Sequence, residues 1–424
     1  MRARTRAAVL AIFCVGGAFT ARVTAASTQA FSLDDVVNQA LAVNAQVLSA
    51  KDQYQAALHQ VDQAYAPQDP QLSLTLTSTP NGLDQAQART LQISESFQFP
   101  GVSWLQGSAA RRGAEIAKLA YQAAARDARA QAQIQFYQTL LDSASAQIAL
   151  ENAQSLAEVL AVAQAAYAAN QAAQTDLISA QFAVFAASQA VWTAQAAQAN
   201  DEAALDQTIG RDPREPMELD GGLEIAPLKA TPAQETARAL ASRQELLEAM
   251  LTEKNAKTAL RLAWMELLPS LTASWAWNDY PPGSTSSIKP QGPYHDYSTS
   301  LAFNVPVFFW FHQRQDALAA QRLLDAARAN HRAAELQTLA AVTQLDRSAR
   351  LAYKTALLYR DQMAPLAKQN FRVALIAYQS QKIDFTTLSS ILQNLYSARM
   401  AYLTAANQFL AGKIALEQAM GGPQ

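Results

Sequence analysis

The sequence has very little of the residues that interrupt or cross-link a fold. Cysteine occurs once, as Cys14, within the first 26 residues. Glycine and proline are both absent between Gly113 and Gly210, and the stretch between Pro293 and Gly412 has no glycine and only two prolines. We therefore expect no disulfides in the mature chain. Long stretches of Ala, Gln, Leu and Arg without helix breakers predict long helices.

Charged residues are also scarce, at 16% of the chain, and the formal net charge is −2. The first 26 residues contain four arginines and no acids, so their removal would leave a larger acidic excess. This balance argues against nucleic acid as a partner. No run of 18 apolar residues follows residue 26, so we expect no membrane-spanning helix, although an exported chain could still insert as a β-barrel.

Sequence motifs typical of catalytic, cofactor-binding and metal sites are missing as well. The sequence has no Gly-x-Ser-x-Gly segment, no phosphate-binding loop and no dinucleotide fingerprint. The four histidines are scattered without metal-ligand spacing; they are His59, His295, His312 and His331. Carboxylates such as Asp142 and Glu151 lie on helical faces, where we interpret them as solvated. The sequence predicts no enzyme, no cofactor and no metal site.

The beginning of the chain has the three parts of a secretory signal. The basic start MRARTR is followed by the apolar stretch AAVLAIFCVGGAF and then by the small residues VTAAS. The apolar stretch is too short to cross a bilayer by itself. We predict a signal peptide over residues 1–26; a retained anchor is the alternative.

Four segments alternate between apolar and polar residues with a period of two. These segments are PQLSLTLTSTP, TLQISESFQF, PSLTASWAWND and YSTSLAFNVPV. They predict two β-hairpins, each with one apolar and one polar face. Such strands suit lipid on one side and water on the other. Glu95 interrupts the apolar face of its strand, and the pattern offers no reason for it.

The helices and strands recur in the same order in both halves. We predict helices from Leu33 to Tyr65, from Val102 to Tyr167 and from Thr231 to Leu267, the first and third with N-terminal capping signals. The first repeat spans residues 27–210 with a hairpin at 70–99, and residues 211–231 form a linker. The second repeat spans 232–424 with a hairpin at 269–307. Each ends in a long helical hairpin.

Four strands in one chain cannot close a membrane barrel, since such barrels need about eight or more strands. An open sheet edge in lipid would leave backbone groups unpaired. Several copies must therefore combine their strands, and we favour three. An aromatic membrane belt is expected around the second hairpin, with ordinary core packing as the alternative. Its candidates are Trp275, Trp277, Tyr280, Tyr294 and Tyr297.

The repeat, its hairpins and its helix reversals resemble the TolC-type outer-membrane efflux channels over nearly all of the mature chain. AYAPQDPQLSLTLTS, SFQFPGVSW, YRDQMAPLAKQNFRVALIAYQSQKIDFTTL and ALEQAMGG are most similar to the branch that serves cobalt–zinc–cadmium efflux. The resemblance implies a mainly α fold with membrane β: a long α-helical coiled-coil barrel plus a transmembrane β-barrel completed by trimerisation, with four strands per chain. It also implies a homotrimer in outer-membrane lipid, a periplasmic membrane-fusion adaptor and an inner-membrane RND-type pump.

The resemblance places adaptor docking and gating at two polar reversals, YAANQAAQTDLISAQ and YQSQKIDFTTLSSILQ. The family has Gly where this chain has Asn170 and Gln381, and Asn accepts the left-handed conformation better than Gln. Asp176 matches the family Asp, whereas the second copy has Thr387 there and Asp384 nearby. The remaining tip candidates are Tyr167, Thr175, Leu177, Tyr378 and Leu388. Alternatively, Asp176 and Asp384 simply cap the returning helices.

The function expected from these observations is a passive outer-membrane duct of a tripartite efflux system, with a helical tunnel in the periplasm. A ring of carboxylates at the narrow end would favour cations, and the resemblance points to heavy metals. The same architecture could serve multidrug efflux or type I protein secretion. A soluble periplasmic coiled-coil adaptor or scaffold is a further alternative, but it has no need of strands with an apolar outer face.

Overall fold

The computed structural model describes residues 30–77, 88–170, 172–215, 217–280 and 294–422. The predicted signal peptide over residues 1–26 lies outside the described residues. So do residues 78–87 and 281–293, which connect the strands within the two predicted hairpins.

The two halves of the chain have the same order of elements, except that the helix corresponding to α3 is divided into α7 and α8. The first half has α1 Leu33–Val43, α2 Ala45–Tyr65, β1 Gln71–Thr77, β2 Ala88–Phe97, α3 Val102–Ala168 and α4 Gln174–Ile209. The second half has α5 Pro232–Ser242, α6 Gln244–Met265, β3 Ser270–Tyr280, β4 Tyr294–Asn304, α7 Gln313–Leu358, α8 Ala364–Gln379 and α9 Phe385–Ala419. The predicted fold class, mainly helical with a small antiparallel sheet, is confirmed, and α3 has nearly the bounds predicted for it.

Two helices predicted as continuous are each broken after eleven residues. The first breaks at Asn44, where ψ is 116° and the side-chain oxygen accepts from the backbone N–H groups of Gln46 and Val47 at 2.9 and 3.1 Å. Asn44 thus ends α1 and caps α2. The second breaks at Arg243, where ψ is 121°. The prediction was wrong here because apolar spacing continues through both breaks and neither has a glycine or proline.

The second long helical span has an internal irregularity. A π-helical turn, Tyr359–Met363, separates α7 from α8 and directly precedes Ala364 and Pro365. Proline has no backbone N–H to donate to the preceding turn, so the ladder of helical bonds must change there. The corresponding span of the first half, α3, has no proline and is continuous over 67 residues.

The four strands form one antiparallel sheet in the order β1-β2-β3-β4. Its register brings apolar residues of all four strands to one face: Leu74, Leu91, Trp277 and Tyr297 form one row across the sheet. The other face is polar. Asn278 accepts from the Thr90 hydroxyl and donates to Asp296, both at 2.8 Å. The two-sided character predicted from sequence is therefore present in the register.

The apolar face has one carboxylate within it. Glu95 is paired in register with Ala273, two residues before the end of β2. Within the described residues, no hydrogen bond or ion pair is recorded for the Glu95 side chain. Its position on the apolar face is confirmed, and nothing in the structure explains it.

The helices pack in hairpins side by side. α3 packs against α2, α4, α6 and α9, and α7 packs against α6 and α9. Where α1, α3 and α4 meet, Val36, Phe136 and Leu205 form a core cluster that Met217 and Leu219 of the linker also contact. A parallel β-bridge between Phe31 and Leu219 joins the linker to the segment just before α1.

One helix departs from the expectation that none could span a membrane. Among the described helices, α4 alone is long enough and apolar enough to do so, judged by length and composition. Its composition is rich in alanine, and the window that qualifies is 17% buried within the chain. α4 pairs with α3 along the helical hairpin that ends at the first reversal.

Candidate functional site: two adjoining helix reversals

The two polar reversals have the same backbone conformation. Asn170 has φ 56° and Gln381 has φ 60°, and these are the only non-glycine residues with positive φ in the described chain. The backbone N–H of Asn170 donates to Tyr167 O, and that of Gln381 donates to Tyr378 O, both at 2.9 Å. The left-handed conformation expected at the family's glycine position is confirmed at both residues.

The reversals lie against each other. A buried cluster joins the ends of α3 and α8 to the beginnings of α4 and α9. It contains Val159, Ala163, Ala180, Ala374, Tyr378, Phe385 and Leu388, all at most 8% exposed. The two segments that the sequence repeats half a chain apart thus form one end of a single four-helix assembly.

Asp384 caps the second returning helix. Its Oδ1 accepts from the backbone N–H of Thr387 at 2.8 Å, and its φ and ψ are extended. The Thr387 hydroxyl and this N–H hold the pKa of the Asp384 carboxyl below its ordinary value. The capping interpretation is therefore confirmed for Asp384.

Asp176 has a different role in the structure. It lies in the first turn of α4, whose cap residue is Ala173, and no side chain caps this helix at the Ala173 position. Its charge acts on Tyr378, whose pKa is raised by burial and, to a smaller degree, by Asp176. The Tyr378 hydroxyl is buried, and no described residue forms a hydrogen bond with it. The capping interpretation was wrong for Asp176, which faces the opposite reversal instead.

A cavity of about 320 Å³ lies between the reversals. Asp176, Tyr378, Gln381 and Asp384 line it, together with Lys382 and Ile383, which the sequence did not single out. The other tip candidates are divided. Leu388 is fully buried in the cluster and Leu177 is half-buried, whereas Tyr167, Asn170, Thr175 and Thr387 are exposed. The Tyr378 hydroxyl, which has no hydrogen-bond partner among the described residues, and the Asp176 carboxylate give the cavity both a donor and an acceptor.

The five aromatic residues of the predicted belt do not share one face. Trp275, Trp277 and Tyr297 lie on the apolar face, where Trp275 stacks on Tyr297 with ring centroids 5.6 Å apart. Tyr280 and Tyr294 lie on the alternate positions, stack on each other, and Tyr294 donates to Asp296 on the polar face. Strand parity, which aromatic content alone does not reveal, thus separates these two tyrosines from the other three candidates of the predicted belt.

Two buried carboxyl groups meet far from the reversals, where α5 packs on α7. Glu235 and Asp346 are 2% and 4% exposed, and Arg350 bonds to Asp346, to Ala230 O and more distantly to Glu235. Burial, with the neighbouring charge of Asp346, raises the pKa of Glu235 to about 7. No donor among the described residues reaches Glu235 Oε2, so a proton shared between the two carboxyl groups would satisfy it.

The two carboxylates predicted to be solvated are not simply solvated. Burial and the hydrogen bond that protonated Asp142 donates to the neighbouring Asp201 carboxylate raise the pKa of Asp142 to about 6. Glu151 forms an ion pair with Arg399 at 2.7 Å, which lowers its pKa. The sequence could not reveal these partners because they come from other helices. Within the described ranges, no group of three or more metal-ligating residues could hold a metal ion.

Comparison with known proteins agrees with this architecture. Residues 236–422, less than half of the chain, match the family model described as outer membrane efflux protein. No curated protein sequence matches the chain.

Three solved channels are similar over 92% of this chain. They are the outer-membrane channel OprN (TM-score 0.78, 18% identity, 90% of that chain), CusC, studied for transmembrane channel formation (0.78, 15%, 92%), and the Campylobacter jejuni outer membrane channel CmeC (0.74, 15%, 85%). The predicted outer-membrane localisation agrees with these descriptions. The second half of the chain therefore has the sequence signature of outer membrane efflux proteins, and the described chain as a whole has the fold of the outer-membrane channels.

Proposed function

We propose that this protein is the outer-membrane duct of a tripartite efflux system, built from three copies of the chain. The observation that carries the proposal is the four-stranded sheet with one apolar face, whose outer strands β1 and β4 each have one side without a paired strand among the described residues. Backbone groups at such edges cannot remain unpaired in lipid. Three copies would join edge to edge into a barrel of about twelve strands, wide enough for a channel.

The duplicated order of elements supports two structural repeats, 27–210 and 232–424, joined by the linker 211–231. Three chains with two reversals each would then place six reversals at the end of the tube opposite the sheet. This arrangement supports the reversals as the region where a periplasmic adaptor docks and where the tube narrows. An inner-membrane RND-type pump would deliver substrate to that adaptor.

Heavy-metal cations are the proposed substrates. The support is the pair of carboxylates, Asp176 and Asp384, that line the cavity at each reversal pair, since a narrow ring of carboxylates favours cations. A duct for drugs or for a secreted protein is the second candidate, supported by the shared fold. Deletion of the gene followed by growth on zinc, cobalt, cadmium, copper and a panel of drugs tests the choice. Sensitivity to drugs alone would overturn the cation proposal.

Assembly and location can be tested together. We expect the chain to fractionate with outer membranes and, after mild detergent extraction and chemical cross-linking, to give a band of three chains. Release with the periplasmic fraction would instead favour the soluble adaptor or scaffold. A monodisperse single chain in the absence of detergent would refute the proposal, because its apolar sheet face would then have no lipid to cover it.

The reversal site has a matched pair of variants. Asp176→Asn removes the charge that faces Tyr378, whereas Asp384→Asn replaces an exposed cap with another residue that caps well. If the reversals gate the duct, each variant removes one carboxylate from the cavity and changes single-channel conductance or its cation preference, while the cap of α9 is kept in Asp384→Asn. Equal conductance and ion preference in the wild-type protein and both variants would contradict a gate at this position.

A further inference from the structure

One carboxylate of the sheet has no donor among the described residues. The four strands contain three carboxylates, which are Glu95, Asp279 and Asp296. His295 Nδ1 lies 3.0 Å from the Asp279 carboxylate, and Asn278 donates to Asp296 at 2.8 Å. No hydrogen bond or ion pair reaches Glu95 within the described part of the chain. A carboxylate in apolar surroundings is costly until a donor satisfies it.

The side chains around Glu95 form a shallow apolar recess. Glu95 is half-buried, and its neighbour across the strand pair is Ala273, a small residue that in turn pairs with Leu301. Ile93 and Phe97 share its face along β2 and are 44% and 45% exposed. The carboxylate thus lies beside a small side chain and among larger apolar ones, on the face that we assign to lipid.

The sheets of neighbouring copies cannot neutralise Glu95. The basic side chains of the described strands are Arg89 and His295. Both lie in the row at the end of the sheet away from the helices, six residues or about 20 Å along the strand from Glu95. A second copy has the same strands, so its basic groups lie at that same far end. The segments that flank the strands on the helix side have no Lys, Arg or His; they are 66–70, 98–101, 266–269 and 305–311.

Glu95 lies near the level at which lipid headgroups begin. Its row is the last but one on the helix side of the apolar face, and the last row contains Phe97, Leu271 and Phe303. Adjacent rows are separated by about 7 Å of strand, or about 5 Å of height at a tilt of about 40°. Long charged side chains bend toward the interface, where a charge on the lipid face costs little. The carboxylate can therefore meet a headgroup from this recess.

We propose that Glu95 binds the primary ammonium of phosphatidylethanolamine in the leaflet that faces the helical tunnel. An ammonium supplies three N–H donors and the opposite charge. Phosphatidylcholine has a cation without a donor, and phosphatidylglycerol has no cation. A divalent metal ion needs several oxygen ligands, and within the described ranges no cluster of three or more ligating side chains exists. The inference rests on the proposed membrane placement of the sheet.

Native mass spectrometry of the assembled protein tests the headgroup preference. The full chain is assembled in detergent, stripped of lipid, and titrated separately with phosphatidylethanolamine, phosphatidylcholine and phosphatidylglycerol that have identical acyl chains. We expect one phosphatidylethanolamine per chain, bound about fivefold more tightly than phosphatidylcholine, as a partly exposed ion pair of about 1 kcal/mol gives. Phosphatidylglycerol should bind no better than phosphatidylcholine.

Three variants assign the preference to one side chain. Glu95→Gln keeps the shape of the side chain and should remove the difference between phosphatidylethanolamine and phosphatidylcholine. Glu95→Lys inverts the charge and should favour phosphatidylglycerol over phosphatidylethanolamine. Glu115→Gln is the matched control, because it loses the same charge at an exposed position of α3, about 20 Å along the helix from its first residue. It should keep the preference of the wild type.

The outcomes separate this inference from the membrane placement. Equal binding of the three lipids by the wild type overturns the ammonium site, and this comparison needs no variant to fold. Persistence of the preference in Glu95→Gln, or its loss in Glu115→Gln, also overturns it. In each of these cases lipid still binds, so the membrane placement survives. If the wild type retains none of the lipids and alkaline carbonate releases it from vesicles, the membrane placement fails too.

Discussion

The buried carboxyl pair where α5 packs on α7 predicts a pH dependence of stability that one substitution should remove. In the folded state the pKa of Glu235 is raised from 4.5 to about 7, first by burial and then by the charge of Asp346. Between these two pH values the folded chain holds a proton that the unfolded chain has released. Stability therefore falls as the pH rises through this window.

The magnitude follows from the size of the shift. The difference between 4.5 and about 7 corresponds to about 3 kcal/mol of unfolding free energy, at about 1.4 kcal/mol per pH unit. Glu235→Gln keeps the size of the side chain and supplies an N–H donor toward Asp346, but it has no proton to lose. At about pH 8 we expect the variant to be more stable than the wild type by up to about 3 kcal/mol, and near pH 5 by much less.

The assay is thermal unfolding of the detergent-solubilised protein, followed by circular dichroism between about pH 5 and about pH 8. Asp142, whose pKa is raised to about 6, adds a pH dependence of the same sign, so only the difference between variant and wild type is informative. Glu335→Gln, at an exposed position of α7, is the control and should follow the wild type. Parallel pH profiles for Glu235→Gln and the wild type would refute the shared proton.

Three further predictions concern the backbone and the sheet. Gln381→Gly should raise the melting temperature by relieving about 1 kcal/mol of strain in the left-handed conformation. Asn170→Gly should raise it less, because Asn tolerates that conformation better than Gln. Equal gains from the two variants would contradict this ranking of Asn and Gln. Gly421→Ala should lower the melting temperature, because the new Cβ would lie 2.6 Å from a backbone oxygen at a residue with φ 95°. Gly113→Ala is its control: the new Cβ meets no atom within 4 Å and should stabilise α3 slightly. Glu95→Leu should increase resistance of the reconstituted protein to denaturant by about 1 kcal/mol or more, and no gain would argue against lipid at that face.

The sequence predicted those features that depend on local chemistry. Alternation of apolar and polar residues located all four strands, since a period of two has no other common cause. The absence of Gly and Pro predicted α3 almost to the residue. Two polar segments located both reversals, and the resemblance, which places Asn170 and Gln381 at glycine positions, predicted the left-handed turns there.

Only the tertiary structure decided features that depend on partners distant in sequence. The breaks at Asn44 and Arg243 have no consistent local signal, and strand register alone placed Tyr280 and Tyr294 on the polar face. The buried Tyr378 hydroxyl beside Asp176 and the raised pKa of Glu235 beside Asp346 require side chains from helices far apart in the chain. The sequence around a helical carboxylate is the same whether water or another carboxyl group faces it, because packing between helices sets its environment.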